Sequence, residues 1–149
     1  MLSRLLQYLD ILQTMISRVD ENLLDHIGKR LAAEDDIVIA IAFGSVATGN
    51  ARPDSDADIA VLTSDPLGTQ RRMELISLLA DVTGRAVDLV DLRIAGVPIT
   101  RSALSKGKRL VCKDKGAYAD LMSRMLADAA DFLPYRQRML RERRNAWIH

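Results

Sequence analysis

Gly44 and Ser45 are separated by ten residues from Asp56 and Asp58, within the stretch FGSVATGNARPDSDADIAVLT that runs from Phe43 to Thr63. A glycine lets phosphate approach the backbone without a Cβ in the way. A serine opening a helical turn offers its hydroxyl and backbone N–H where the helix dipole favours an anion. The two aspartates fall in a run that reads as a strand from Asp56 to Thr63. Side chains along a strand alternate faces, so both carboxylates point the same way, with Cα atoms roughly 6.5 Å apart. At about 4 Å two ionised carboxylates repel by roughly 4 kcal/mol at an effective dielectric of 20, a penalty that a divalent cation removes. A phosphate-holding turn beside paired carboxylates is what metal-dependent nucleotidyl transfer needs.

Asp88, in AVDLVDL from Ala86 to Leu92, adds a third carboxylate if its strand neighbours that of Asp56 and Asp58, as sequential strands usually do. Two magnesium ions could then be held by Asp56 and Asp58, with Asp88 ligating one of them and accepting the proton of an attacking hydroxyl. Asp91, three residues on, faces the other way and reads as structural. Taken singly, each feature has an ordinary explanation: acidic pairs are common on solvated strand edges, and a serine after a turn glycine is a common helix cap. Their combination is what points to a site. The series Asp54, Asp56, Asp58 is not a calcium loop, because Ile59 stands where glycine is needed and Asp65 where glutamate is needed.

The elements that must position these residues are legible in the apolar pattern. IVIAIAF, Ile37 to Phe43, is a continuous apolar run, the mark of a strand covered on both faces. Gly44 ends it, a short helical turn follows through Thr48, and Gly49, Asn50 and Pro53 mark a loop into the Asp56–Thr63 strand. Thr69 to Val82 reads as an amphipathic helix stopped by Gly84, Ala86 to Leu92 as a strand, Pro98 to Lys106 as a helix closed by Gly107, and RLVCK as a short strand. Tyr118, Leu121, Met125, Ala129 and Phe132 give a last helix its apolar face, with Pro134 set to bend or restart it. At the other end, Leu2, Leu5, Leu9, Leu12, Ile16, Val19 and Leu23 follow a 3,4 spacing, the seam of a helix that packs along one stripe. One long helix fits this seam, and so do two shorter ones with Ser17 or Asp20 as a cap. The seam reads as packing on the protein's own body, with an oligomer or partner surface as the alternative.

The chain of 149 residues, 48% hydrophobic and 28% charged, is long enough for one domain with a real core. No apolar run approaches the roughly 18 residues needed to span a membrane. The N-terminus carries Asp10 and lacks a small-residue cleavage site, so the cytoplasm is the expected location. The single cysteine, Cys112, excludes an internal disulfide and a zinc cluster, and reads as filling a core strand position. His26 has no ligand partner at suitable spacing and reads as a surface or boundary residue.

Residues 136 to 144, RQRMLRERR, hold five arginines against one glutamate, a local charge of +4. They form either a solvated helix face or a surface for an acidic partner. Only Tyr135 and Trp147 accompany them, so nucleic acid is not the expected partner. Arg144 to His149 matches an R-x4-H ribonuclease pattern, but in an arginine-rich tail such a match arises easily, and a chain end frays.

The order of elements predicts an α/β (α+β) fold, a small mixed β-sheet with flanking helices, an extended N-terminal helix and a long C-terminal one. A single domain over 1–149 is expected, with an N-terminal helical extension (1–33), a core that carries the site (36–112) and a C-terminal helical segment (114–149). The GSx10DxD motif with a third carboxylate strand resembles the minimal nucleotidyltransferases of the polymerase-β-like superfamily. GSVATGNARPDSDADIAVL, followed by VDLVDLRIA and SKGKRL, is further similar to the MNT-type antitoxins of HEPN/MNT toxin–antitoxin systems. The resemblance covers roughly residues 37 to 112 and implies the minimal nucleotidyltransferase fold. It also implies ATP as substrate, Mg2+ as cofactor, and transfer of AMP onto a tyrosine of a HEPN ribonuclease toxin, which silences it. On that reading Asp56, Asp58 and Asp88 are the catalytic and metal-binding residues, and Gly44 and Ser45 bind the nucleotide. A homo-oligomer or a hetero-oligomer with the toxin is compatible with it. Two alternatives use the same sequence: neutralisation of the toxin by contact alone, and nucleotidyl transfer to a small molecule. The N-terminal 30 residues exceed what a minimal domain needs.

Overall fold

β1 (Ile37–Phe43) sits in the middle of the protein, and its unbroken apolar run is explained by helices on both faces of the sheet it belongs to. The protein's structure, a computed structural model, describes residues 2–52 and 54–146, apart from the side chains at 16, 17, 132 and 133. Pro53, Trp147 and His149, and the side chains of Ile16, Ser17 and Phe132, singled out above, lie outside the described residues.

Along the chain come α1 (Leu2–Ala32), β1, α2 (Gly44–Thr48), β2 (Ala57–Thr63), α3 (Thr69–Thr83), β3 (Val87–Asp91), α4 (Val97–Lys106), β4 (Lys108–Cys112) and α5 (Lys115–Ala146). The four strands form one mixed sheet in the order β3-β2-β1-β4, with β1 antiparallel to both β2 and β4 and β2 parallel to β3. The parallel pair is joined through α3, as a parallel crossover requires. Alternate residues of β1 and β2 feed two cores. Ala40, Ala42, Ile59 and Val61 pack with Leu24, Ile27 and Leu31 of α1 and Leu75 and Leu79 of α3. Ile39, Ile41, Phe43, Ala60 and Leu62 pack with Ala103 and Leu104 of α4 and Leu121 and Met125 of α5. Each fully buried large side chain contributes about 1.5–3 kcal/mol, so both faces hold the two central strands in place.

Three expectations need correction. The first is the N-terminal seam: α1 is one continuous helix, but every described side chain from Leu2 to Val19 is exposed. Of the seam's described side chains only the last, Leu23, packs on the body, beside a stripe of Asp20, Leu24, Ile27 and Leu31 that is offset around the helix from the seam. The second is the restart at Pro134: α5 continues through it as one helix, since losing one backbone donor breaks a single intrahelical bond and this part of the helix is exposed. The third is Cys112, which is only half-buried at the end of β4, where its thiol faces the Asp114 carbonyl at 3.6 Å. His26 is exposed, its Nδ1 2.9 Å from the Asn22 carbonyl. No helix among the described residues is long and apolar enough to cross a membrane.

Candidate active site

The register of the sheet decides what meets what at one end of it. Phe43, the last residue of β1, is paired with Asp58, and Asp58 is paired in turn with Asp88 on β3. Directly paired residues point to the same face, so the two carboxylates stand side by side on adjacent strands, about 4.8 Å apart in strand spacing. Asp91 is buried and accepts the Arg93 backbone N–H at 2.8 Å, which gives it the structural role expected. Asp56 is a partial exception. β2 begins at Ala57, so Asp56 lies one residue ahead of the strand, exposed, and strand alternation no longer fixes its direction.

Because β1 ends opposite Asp58, the turn that follows is pressed against that carboxylate. Gly44 has φ +66°, a conformation side chains disfavour, and a Cβ there would collide with Asp58 Oδ2. α2 then starts without a side-chain cap, which leaves the backbone N–H groups of its first turn for another acceptor. Its end is tied locally: the Thr48 hydroxyl donates to the Gly44 and Ser45 carbonyls, and Gly49 adopts a left-handed conformation. Ser45 is half-buried at the start of this turn.

Asp58 is half-buried, and burial pushes its carboxyl above its ordinary value; the charges of Asp88 and then Asp56 push it further the same way. The three aspartates therefore share one electrostatic neighbourhood that disfavours ionisation of the middle group. Among the described residues no three carboxylate, imidazole or thiol groups converge closely enough to hold one ion as the side chains stand. The donor set is nonetheless of the type magnesium takes, all carboxylate oxygens. Repulsion within it is relieved by a cation and by nothing else among these residues, and the glycine opposite Asp58 keeps the space beside that carboxylate clear.

The site is an open edge. The cavities of about 470 Å³ between α1 and β4 and about 360 Å³ between α4 and α5 are lined by other residues. One positioning residue has no sequence signature: the Arg72 guanidinium on α3 donates to the Leu89 carbonyl at 2.6 Å, next to Asp88. Only the packing of α3 on β3 reveals it.

Comparison with known proteins bears on the family and the fold. The family described as Polymerase beta, Nucleotidyltransferase matches residues 25–116. The protein adenylyltransferase MntA of Shewanella oneidensis is 43% identical over 68 residues, 46% of this chain and 49% of that protein, so the match spans about half of that curated relative. A crystal structure of a toxin–antitoxin with AMP-PNP superposes with a TM-score of 0.69 at 28% identity, covering 80% of this chain and 96% of that one. A structure of tri-AMPylated Shewanella oneidensis HEPN toxin in complex with MNT antitoxin gives a TM-score of 0.59 at 25% identity, over 87% and 97% of the respective chains.

Proposed function

The chain belongs to the polymerase beta nucleotidyltransferase family, and we propose that it is an antitoxin that transfers AMP from ATP to a hydroxyl of a HEPN ribonuclease toxin and so silences it. The observation that carries this reading is the row Asp88, Asp58 and Gly44, placed by strand pairing at one end of the sheet with Ser45 beside it. Support for the acceptor comes from the MntA adenylyltransferase and from the AMPylated toxin complex among its relatives. A tyrosine is the acceptor that the motif's resemblance to the MNT-type antitoxins implies. The use of ATP as substrate supports the cytoplasm as the site of the reaction.

In the reaction the acceptor oxygen attacks the α-phosphorus of ATP, the bond from that phosphorus to the β-bridging oxygen breaks, and pyrophosphate leaves. Gly44 and Ser45 hold the phosphates against the first turn of α2, where uncapped N–H groups face the anion. Asp56, Asp58 and Asp88 would hold Mg2+, which stabilises charge on the transferring and leaving oxygens when bound. Asp88, exposed on the outer strand, is open to a protein acceptor, and it takes the hydroxyl proton. The open edge suits a macromolecular acceptor, which brings the other wall of the site with it.

The test is to supply ATP labelled at the α- or the γ-phosphorus together with Mg2+ and the purified HEPN toxin. The α label should appear on the toxin and the γ label should not. Transfer of the γ label would mean phosphorylation, and no label from either would leave neutralisation by contact.

A further inference from the structure

The exposed half of α1 is an apolar surface that the active site does not use. Leu2, Leu5, Leu9, Leu12 and Val19 on the heptad seam are 54% to 81% exposed, and Leu6, Tyr8 and Met15 beside them are 60% to 68% exposed. Most of a protein helix's stability comes from packing its apolar face, which this part of α1 leaves uncovered. At roughly 100 Å² per large apolar side chain, these eight offer on the order of 600–800 Å², against the ~800 Å² per partner of a standard stable interface.

We propose that this arm pairs with α1 of a second copy of the chain, so that the protein self-associates through residues 2–19. A 3,4 apolar spacing is completed by a helix of the same period, and α1 is such a helix. Charge offers no obstacle and selects no other partner, since residues 2–19 carry only Arg4, Asp10 and Arg18. The family match begins at residue 25, so the arm lies outside the part of the chain that this match covers. Its placement is also functional. The short connection from Ala32 to Ile37 reverses the chain, so α1 runs antiparallel to β1, reaches α2, and leaves the body at the end of the sheet that holds Gly44 and Asp58. Pairing therefore gathers the catalytic ends of the copies on the assembled side.

Light scattering on the purified full-length chain should give a mass at least twice 16.5 kDa at tens of micromolar. Leu5→Glu with Leu12→Glu should return it to a single chain. Both positions are exposed, so the melting temperature of the body and binding of ATP with Mg2+ should be unchanged. The milder pair Leu9→Gln with Val19→Gln should shift the same equilibrium in the same direction. A parent protein of single-chain mass overturns the proposal, as does a multiple that persists in both variants. So does a single-chain parent that joins purified HEPN toxin through Leu5 and Leu12, which would make the arm a docking surface for the acceptor.

Discussion

Asp58 is held under electrostatic tension by its surroundings, and two substitutions at residue scale follow from it. Its carboxyl is raised in the folded protein by burial, Asp88 and Asp56, so the folded state holds that proton to higher pH than the unfolded chain does. Stability is therefore lost as pH rises from about 4, the unfolded carboxylate value, through the raised folded value. Asp58→Asn removes this loss. At neutral pH without metal the variant should melt about 1–3 °C higher than the parent while losing transfer, and adding Mg2+ should raise the parent's melting temperature more than the variant's. Gly44→Ala should act the opposite way on stability: the positive φ and the collision with Asp58 should destabilise it by about 1–2 kcal/mol and weaken nucleotide binding in calorimetry. The position of Gly44 and Ser45 after the first strand was legible from the glycine that ends its apolar run, and the common face of Asp58 and Asp88 followed once their strands were taken as neighbours. The offset of Asp56 was not legible, since a strand boundary depends on its pairing partner.

Between elements, the connection that sets α1 against the sheet is fastened by a charged cluster. The Arg71 guanidinium of α3 forks onto Asp36 at 2.6 and 2.9 Å and also reaches Glu34 at 2.8 Å and Glu74 at 3.3 Å. Arg71→Ala should destabilise by about 1–3 kcal/mol, because the fork is bidentate and only partly solvated. The bond from Arg71 holds the Asp36 carboxyl below its ordinary value, so its share is fully present above about pH 4 and is lost as pH falls through the lower folded value. The stability difference between parent and Arg71→Ala should stay constant from about pH 7 to 5 and shrink below 4 in denaturant titrations. Only the Arg71–Glu74 pair, three residues apart on α3, has a local signal; nothing in the sequence marks Asp36 and Glu34, which lie 35 and 37 residues from Arg71. By contrast β1 and α2 could be read directly: a buried apolar run and the glycine that stops it are local signals. The α1 seam shows the limit of such reading, because periodicity gives a helix and its face but not what covers that face.

For the whole molecule, charge is concentrated at the C-terminal end of α5. Arg136, Arg138, Arg141, Arg143 and Arg144 are exposed, and the ion pairs among the described residues involve Asp25, Glu34, Asp36 and Glu74 instead. If these arginines meet an acidic face of the toxin, association should weaken about 5–10-fold as ionic strength rises from low to physiological values, where the Debye length is about 8 Å. Truncation after Pro134 should abolish that salt dependence without affecting ATP binding; unchanged binding across the salt series would leave α5 a solvated face. The central claim is that the carboxylate row performs chemistry on a protein partner. The most direct measurement is the intact mass of purified HEPN toxin after incubation with ATP, Mg2+ and either the parent protein or Asp88→Asn. The parent should add one AMP, or a whole multiple of it, and the variant should add none and fail to protect cells at equal expression. A variant that protects as well as the parent while leaving the toxin's mass unchanged would contradict the account and make contact alone the means of neutralisation.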